Sequence, residues 1–445
     1  MKSMIMKAIT VFILSIGLGL SGIVQAGPSI QTWETSNGAK VFFVAASELP
    51  MVDIRVVFDA GSAREGDKWG LSSMTNAVLM EGADGFSAEQ VSESFEDVGA
   101  QIGHGSLRDM AYVSVRTITD PRNFDPALES LTRVLTKPDF PKAAFERQQK
   151  RTLIGLEQKK QSPGAIAGEA FYTALYGDHP YGHPASGTAE TVNAITRDDL
   201  EVFYKEWYTA KNSVVAIVGD LSLEQAKATA EKVVGKLPVG KAAPCIPPVA
   251  DLTEDKVIKI HHPSTQTTIY VGQPGMKRGD KDYFALYLGN HSLGGSGLVS
   301  RLSDEVREKR GLSYSVYSYF APMGEKGPFM SGMQTRNDQV DEGVKILKET
   351  ISTYINEGQT EEEFSASVKN ITGGFPMRID NNSKIIEYIS MIGFYEQPLD
   401  YLDTFIGKIE SLTIEQTRDA MKRRLAPTKM VTVIVGGSVE KLKDK

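Results

Sequence analysis

The sequence predicts an α+β fold: two tandem homologous domains, each a mainly antiparallel sheet with helices packed on one face. Three observations lead there. Strand-like and helix-like stretches are mixed without the regular alternation of a parallel sheet. The stretch from Pro238 to Glu254 carries four prolines and no apolar period, which is the composition of a linker. The segments on either side of it repeat one another. Thr196 and Thr413 each open a helical stretch, and Val218 and Val435 each end the strand that follows, 217 residues apart in both cases. Asp139–Phe145 and Gly358–Phe364 each start an earlier helix at nearly the same offset.

The elements follow in order. Residues 1–26 predict a signal peptide. Lys2 and Lys7 give a positive start, Ile9 to Ile23 is apolar, and Val24-Gln25-Ala26 offers a small-residue cleavage site. No cysteine directly follows the apolar run, which argues against a lipid anchor, and no second stretch is long and apolar enough to span a bilayer. The expected location is therefore the periplasm. The first domain, 27–237, begins with strands at Val41–Ala45 and Val52–Ala60. Gly70 to Gly82 then reads as a helix, with Leu71, Met74, Val78 and Leu79 on a core face and Ser73, Asn76 and Ala77 on a polar face. Pro180 and Gly182 make the His179–His183 segment a loop rather than a helical metal pair. A helix from Ile195 to Tyr204 and a strand at Ser213–Val218 close the domain. After the 238–254 linker, the second domain, 255–445, opens with a strand at Thr267–Gly272. Leu298, Leu302 and Val306 form a helical stripe that Gly311 ends, and Ser313 to Tyr319 alternates as a strand. A helix from Leu412 to Met421 and a strand at Met430–Val435 complete the repeat.

Composition narrows the chemistry. The chain has 445 residues, 24% of them charged and 41% hydrophobic, with a formal charge of −7. Those are globular proportions, and no long basic run points to nucleic acid. One cysteine, Cys245, excludes a disulfide framework within the chain, a cysteine zinc cluster and an iron–sulfur site. There is no G-x-S-x-G elbow. Gly294-Gly295-Ser296-Gly297 lacks the Lys-Ser/Thr ending of a phosphate-binding loop and reads as a turn. His104 and His291 stand alone in the sequence, and His261-His262 has no acidic neighbour, so all four read as ordinary surface or loop residues.

Two strings in the first half carry a family resemblance. They are Gly61-Ser62-Ala63-Arg64-Glu65 ahead of Gly70-Leu71, and Tyr176-Gly177-Asp178-His179-Pro180-Tyr181-Gly182 followed by Gly187-Thr188. With them the chain resembles the pitrilysin/insulinase family of zinc metallopeptidases, the inverted zincins, over nearly its whole length. That family's catalytic motif is H-x-x-E-H, two zinc-binding histidines one helical turn apart with a general base between them. The aligned positions here are Ser73, Asn76 and Ala77, so the motif is degenerate. The family's third ligand is a Glu on a later helix. The aligned stretch near Ile154–Gly155 has none, and Glu157 lies two residues on.

The second half keeps more. Gly294 to Tyr319 strongly resembles the family signature in which an Arg and a Tyr seven residues apart reach across to the zinc site of the other half. Arg307 and Tyr314 occupy those positions. The resemblance implies that they bind substrate, as donors to a developing oxyanion. It implies no metal on this chain, zinc on a homologous H-x-x-E-H partner subunit, and a peptide substrate bound extended along a sheet edge. The expected function is the non-catalytic, substrate-binding subunit of a periplasmic zinc-dependent endopeptidase heterodimer, inactive alone. The alternative is a catalytically inert peptide-binding or scaffold protein of the cell envelope, with Arg307 and Tyr314 as relics.

Overall fold

The computed structural model describes residues 28–437, so the expected signal peptide lies outside the described residues. The first half runs β1 (Gln31–Glu34), β2 (Lys40–Ala45), β3 (Met51–Phe58), α1 (Leu71–Val78), a short ribbon β4 (Gly82–Ala83) and β5 (Phe86–Ser87), and α2 (Ala88–Glu96). It continues with β6 (Gln101–Ser106), β7 (Ala111–Ile118), α3 (Pro121–Thr136), α4 (Lys142–Lys159), α5 (Pro163–Tyr176), α6 (Ala189–Ala194), α7 (Arg197–Trp207), β8 (Ser213–Gly219) and α8 (Leu223–Val234). The second half runs β9 (Lys256–His261), β10 (Gln266–Pro274), α9 (Tyr283–Asn290), β11 (Val316–Phe320), β12 (Pro328–Arg336), α10 (Val340–Glu357), α11 (Glu361–Gly374), α12 (Asn382–Phe394), α13 (Tyr401–Glu410), α14 (Ile414–Arg424) and β13 (Val431–Gly436).

Strand order confirms the duplication. The first sheet is β1-β2-β8-β3-β7-β6 and the second is β9-β13-β10-β12-β11. Leaving out β1, the two orders superimpose strand for strand. Each sheet is antiparallel except for one parallel pair, β2 with β8 and β9 with β13. The repeat extends to helix starts. Thr196 caps α7 in a box with Asp199, and Thr413 caps α14 in a box with Gln416. Such reciprocal boxes satisfy two backbone donors at each helix start, which fixes where the helix begins.

The expectation of helices on one face describes each half by itself. The opposite face of each sheet is closed by the other half. Helix α12 of the second half lies on β8, β3 and β2, burying Ile385, Ile389 and Ile392 against Phe42, Val214 and Ala216. Reciprocally, α5 of the first half lies on β13 and β10, burying Phe171 and Leu175 against Val431, Val433 and Val435. Buried strands such as β8 are therefore apolar on both faces, a continuous run rather than an alternation. Close approach is enforced at Gly393, where a Cβ would fall 2.6–2.7 Å from Phe42 and Val214 atoms.

A buried polar node joins the halves at one end of this exchange. Asp109 accepts hydrogen bonds from the Tyr181 hydroxyl (2.5 Å), the Tyr395 hydroxyl (2.8 Å) and the Gly324 amide (2.8 Å). The Tyr181 oxygen in turn accepts from the Glu325 amide at 3.1 Å. Tyr181 belongs to the first half, while Gly324, Glu325 and Tyr395 belong to the second. Burial pushes both phenols well above the usual tyrosine range, so they stay protonated donors.

Candidate functional site

Helix α1 is where the family chemistry would sit, and its start is built unusually. Its N-cap is Gly70, at φ +99°, which has no side chain with which to cap. Glu65 does this from a distance: its carboxylate accepts from the Gly70 amide (2.9 Å) and the Ser72 amide (2.7 Å). A carboxylate at a helix N-terminus complements both the orphan amides and the helix dipole. The setting is nevertheless dry. Burial raises the Glu65 carboxyl to about 8, against the pull of the two amides and of nearby Arg108. His183 lies beside it, stacked on Trp69 at 5.4 Å, with Nε2 3.1 Å from the Ser62 carbonyl. Burial lowers the His183 imidazole, so it is neutral near pH 7. This places His183 as a structural residue within a loop.

The Glu65 shift has a measurable consequence. A carboxyl raised in the folded state stabilises the fold below its unfolded value of 4.5, and that contribution is lost as pH rises through about 8. A lowered histidine acts in the opposite sense below 6.5. The clean window is therefore pH 6.5 to 8. There the thermal midpoint of the wild-type chain should fall with rising pH, and Glu65→Gln should flatten the slope. An equal slope in both proteins would refute the assignment to Glu65.

The three motif positions do not fit a metal. Asn76 is 1% exposed, which corrects its placement on the polar face of α1. Its side chain is drawn inward by partners on β6, on β7 and in the turn after α7. Nδ2 donates to the Tyr112 carbonyl (3.2 Å) and the Tyr208 hydroxyl (3.4 Å), while Oδ1 faces His104 Nδ1 at 3.0 Å. Ser73 and Ala77 are half-buried on the outer side of the helix. Ala77 has no donor atom, and the one amide among the three is spent on structural bonds. On α4, Ile154 is 59% exposed and Glu157 pairs with Lys160 at 2.7 Å on the surface. Among the described residues, no group of three or more His, Cys, Asp or Glu side chains is placed to hold a metal ion. His104, which stands alone in the sequence, is brought to Asn76 by the edge strand β6. Sequence spacing could not show this, because 28 residues and a strand pairing separate the two.

The second-half segment departs from its expected local structure. The predicted continuous helix through Leu298, Leu302 and Val306 is broken. His291–Gly295 and Ser303–Glu308 are wide π-type turns, with a tight turn at Gly297–Val299 between them. Leu302 and Val306 are buried, but Leu298 is 64% exposed. Gly297, at φ +64°, turns the chain, and Gly294 approaches β11 so closely that a Cβ would lie 2.4 Å from the Ser318 hydroxyl. Asn290 pins that approach, donating to the Ser318 carbonyl and accepting from its hydroxyl. His291, expected in a loop or on the surface, instead continues α9, with Nδ1 2.9 Å from the Ser367 hydroxyl.

Arg307 lies on the π-type turn, its Nε 3.4 Å from the carboxylate of its neighbour Glu308. Tyr314 is not on the strand, as predicted. β11 begins only at Val316, because Ser313 bonds both the carbonyl and the amide of Ser315 and holds the chain in a turn. Tyr314 is 91% exposed. It lines a cavity of about 200 Å³ with Tyr270, Tyr317, Thr268 and Gln334, which sequence reasoning did not anticipate. No hydrogen bond or ion pair joins Arg307 to Tyr314 among the described residues.

Comparison with known proteins agrees with this picture. A family model described as insulinase (peptidase family M16) matches residues 40–189, and one described as the peptidase M16 inactive domain matches residues 194–371. A Pseudomonas fluorescens structure titled as a peptidase M16 inactive domain superimposes with a TM-score of 0.89 at 40% identity, covering 92% of this chain and 98% of that one. A Helicobacter pylori protein named a non-peptidase homolog is 25% identical over 98% of this chain and 99% of its own length. A Streptomyces coelicolor protein named an uncharacterized zinc protease is 27% identical over 80% of this chain and 78% of its own. A periplasmic protease of Escherichia coli shares the fold at 15% identity with a TM-score of 0.78, this chain spanning 46% of it.

Proposed function

The chain belongs to the M16, insulinase-type, peptidase family, and from that premise we propose that it is the non-catalytic, substrate-binding subunit of a periplasmic zinc-dependent endopeptidase heterodimer. Zinc and the general base would come from a homologous H-x-x-E-H subunit. The observation that carries the reading is an asymmetry. Helix α1 offers no metal ligand at Ser73 or Ala77, and Asn76 is locked in packing by Tyr112, Tyr208 and His104. Tyr314, by contrast, stands 91% exposed beside a small cavity. A large aromatic ring left in water forfeits burial worth about 1.5–3 kcal/mol, which a partner or substrate can recover. Arg307, seven residues earlier, would supply a guanidinium to the carbonyl oxygen of the scissile peptide, and Tyr314 a phenol.

Two further features support this reading. β6 is an edge strand of the first sheet with an unpaired side, beside α1, where an extended peptide can add by backbone hydrogen bonds. The apolar run before Gly27 supports export.

The test is peptidase activity on an unstructured fluorogenic peptide with zinc present. The purified chain alone should be silent, and activity should appear when its H-x-x-E-H homologue is added. Zinc-dependent cleavage by this chain alone would overturn the reading of Ser73, Asn76 and Ala77. Silence in the mixture, with the partner shown to be bound, would favour the inert peptide-binding or scaffold role.

A further inference from the structure

Away from Arg307 and Tyr314, a cavity of about 400 Å³ opens in the second half between the turn that follows β10, the start of α9, and α12 and α13. Its size lies within the range of small-molecule pockets. Its wall is mainly apolar and aromatic: Tyr283, Phe284 and Tyr401, with Met391 and Pro398. Three cations line it as well, Arg278, Lys281 and Lys408.

The charge balance at this cavity is lopsided. The acid in its wall, Asp280, is already committed. Arg424 holds it through two bonds, at 2.8 and 2.5 Å, and neighbouring Asp282 is held by Arg423 and Arg424. Those arginines keep both carboxyls below the usual carboxylate range, so both stay ionised and paired. No ion pair to Arg278, Lys281 or Lys408 occurs among the described residues. Arg278 uses its Nε on the Pro322 carbonyl at 3.1 Å and lays its guanidinium over the Tyr395 ring at 5.4 Å. The Lys408 ammonium sits 5.3 Å over the Phe284 ring. Three uncompensated cations around an aromatic wall, on a protein of formal charge −7, call for an anion with an aromatic body.

We infer that this cavity binds a small aromatic carboxylate, its ring against Tyr283, Phe284 and Tyr401 and its carboxylate among Arg278, Lys281 and Lys408. The inference stands apart from the proposed peptidase role, because it uses neither α1 nor Arg307 and Tyr314. Binding here would also bear on the junction between the halves, since Arg278 stacks on the Tyr395 that bonds Asp109.

The experiment is calorimetric titration of the full chain with 2-naphthoate, and with neutral 2-naphthamide as the isosteric control. Naphthoate should bind saturably at one site with a Kd of about 1 mM or tighter, and the amide about tenfold more weakly or not at all. A Lys281→Ala/Lys408→Ala double variant should bind naphthoate about tenfold more weakly while its thermal midpoint stays near wild type. Absence of saturable naphthoate binding would overturn the inference. So would equal binding of the amide, or unchanged binding by the double variant.

Discussion

Asp109→Ala is expected to lower the unfolding free energy by about 3–5 kcal/mol, from three buried donors stranded at about 1–3 kcal/mol each with partial rescue by water. In the wild type the carboxylate gathers Tyr181 from the first half with Tyr395 and the Gly324 amide from the second. Alanine leaves both phenols and the amide facing each other with nothing to accept. Against a typical total of about 5–15 kcal/mol this is a large loss. The apolar packing of α12 on the first sheet and of α5 on the second still couples the halves, so urea unfolding followed by tryptophan fluorescence and by circular dichroism should stay coincident while its midpoint falls. Tyr395→Phe removes a single donor and should cost about 1–2 kcal/mol with the transitions still coincident. An Asp109→Ala protein as stable as Tyr395→Phe would show that the node does not join the halves.

If the proposed function holds, Arg307→Ala should lower kcat by about 10²-fold in the mixture with an H-x-x-E-H homologue, with little change in KM. The reason is that a guanidinium aimed at a developing oxyanion stabilises charge that the ground-state carbonyl lacks. Tyr314→Phe, which keeps the ring but removes the hydroxyl, should cost about tenfold for the same reason. Neither change should unfold the chain: Tyr314 is 91% exposed, and among the described residues Arg307 pairs only with its sequence neighbour Glu308. Arg307→Lys separates charge from geometry, because lysine keeps the charge but not the planar fork. Unchanged kcat in Arg307→Ala, in a mixture that is otherwise active, would make Arg307 a surface residue and Tyr314 a relic.

Much of the fold was legible because it rests on local rules. Strands β2, β3, β8, β10 and β13 announce themselves as apolar runs, and α7 and α14 as threonine-capped helices, each set by its own residues. The duplication was legible for the same reason, since a repeat copies local signals at a fixed offset. That Ser73, Asn76 and Ala77 include neither histidine nor carboxylate was also legible, because residue type needs no coordinates.

Other features lay beyond the sequence because partners distant in the chain decide them. Helical periodicity predicted one helix through Leu298, yet the close approach of Gly294 to Ser318 and the turn at Gly297 break it. Asn76 reads as a polar-face residue until Tyr112, Tyr208 and His104 are seen to surround it.

The sequence by itself determined the family and the doubled α+β plan, both of which are carried by residue type and spacing. Only the tertiary structure decided that each sheet is closed by the other half's helix, that Asp109 ties the halves together, and that three cations line an aromatic cavity. Those depend on which surfaces the chain brings together across hundreds of residues, and no local pattern of apolar and polar positions encodes a contact of that range.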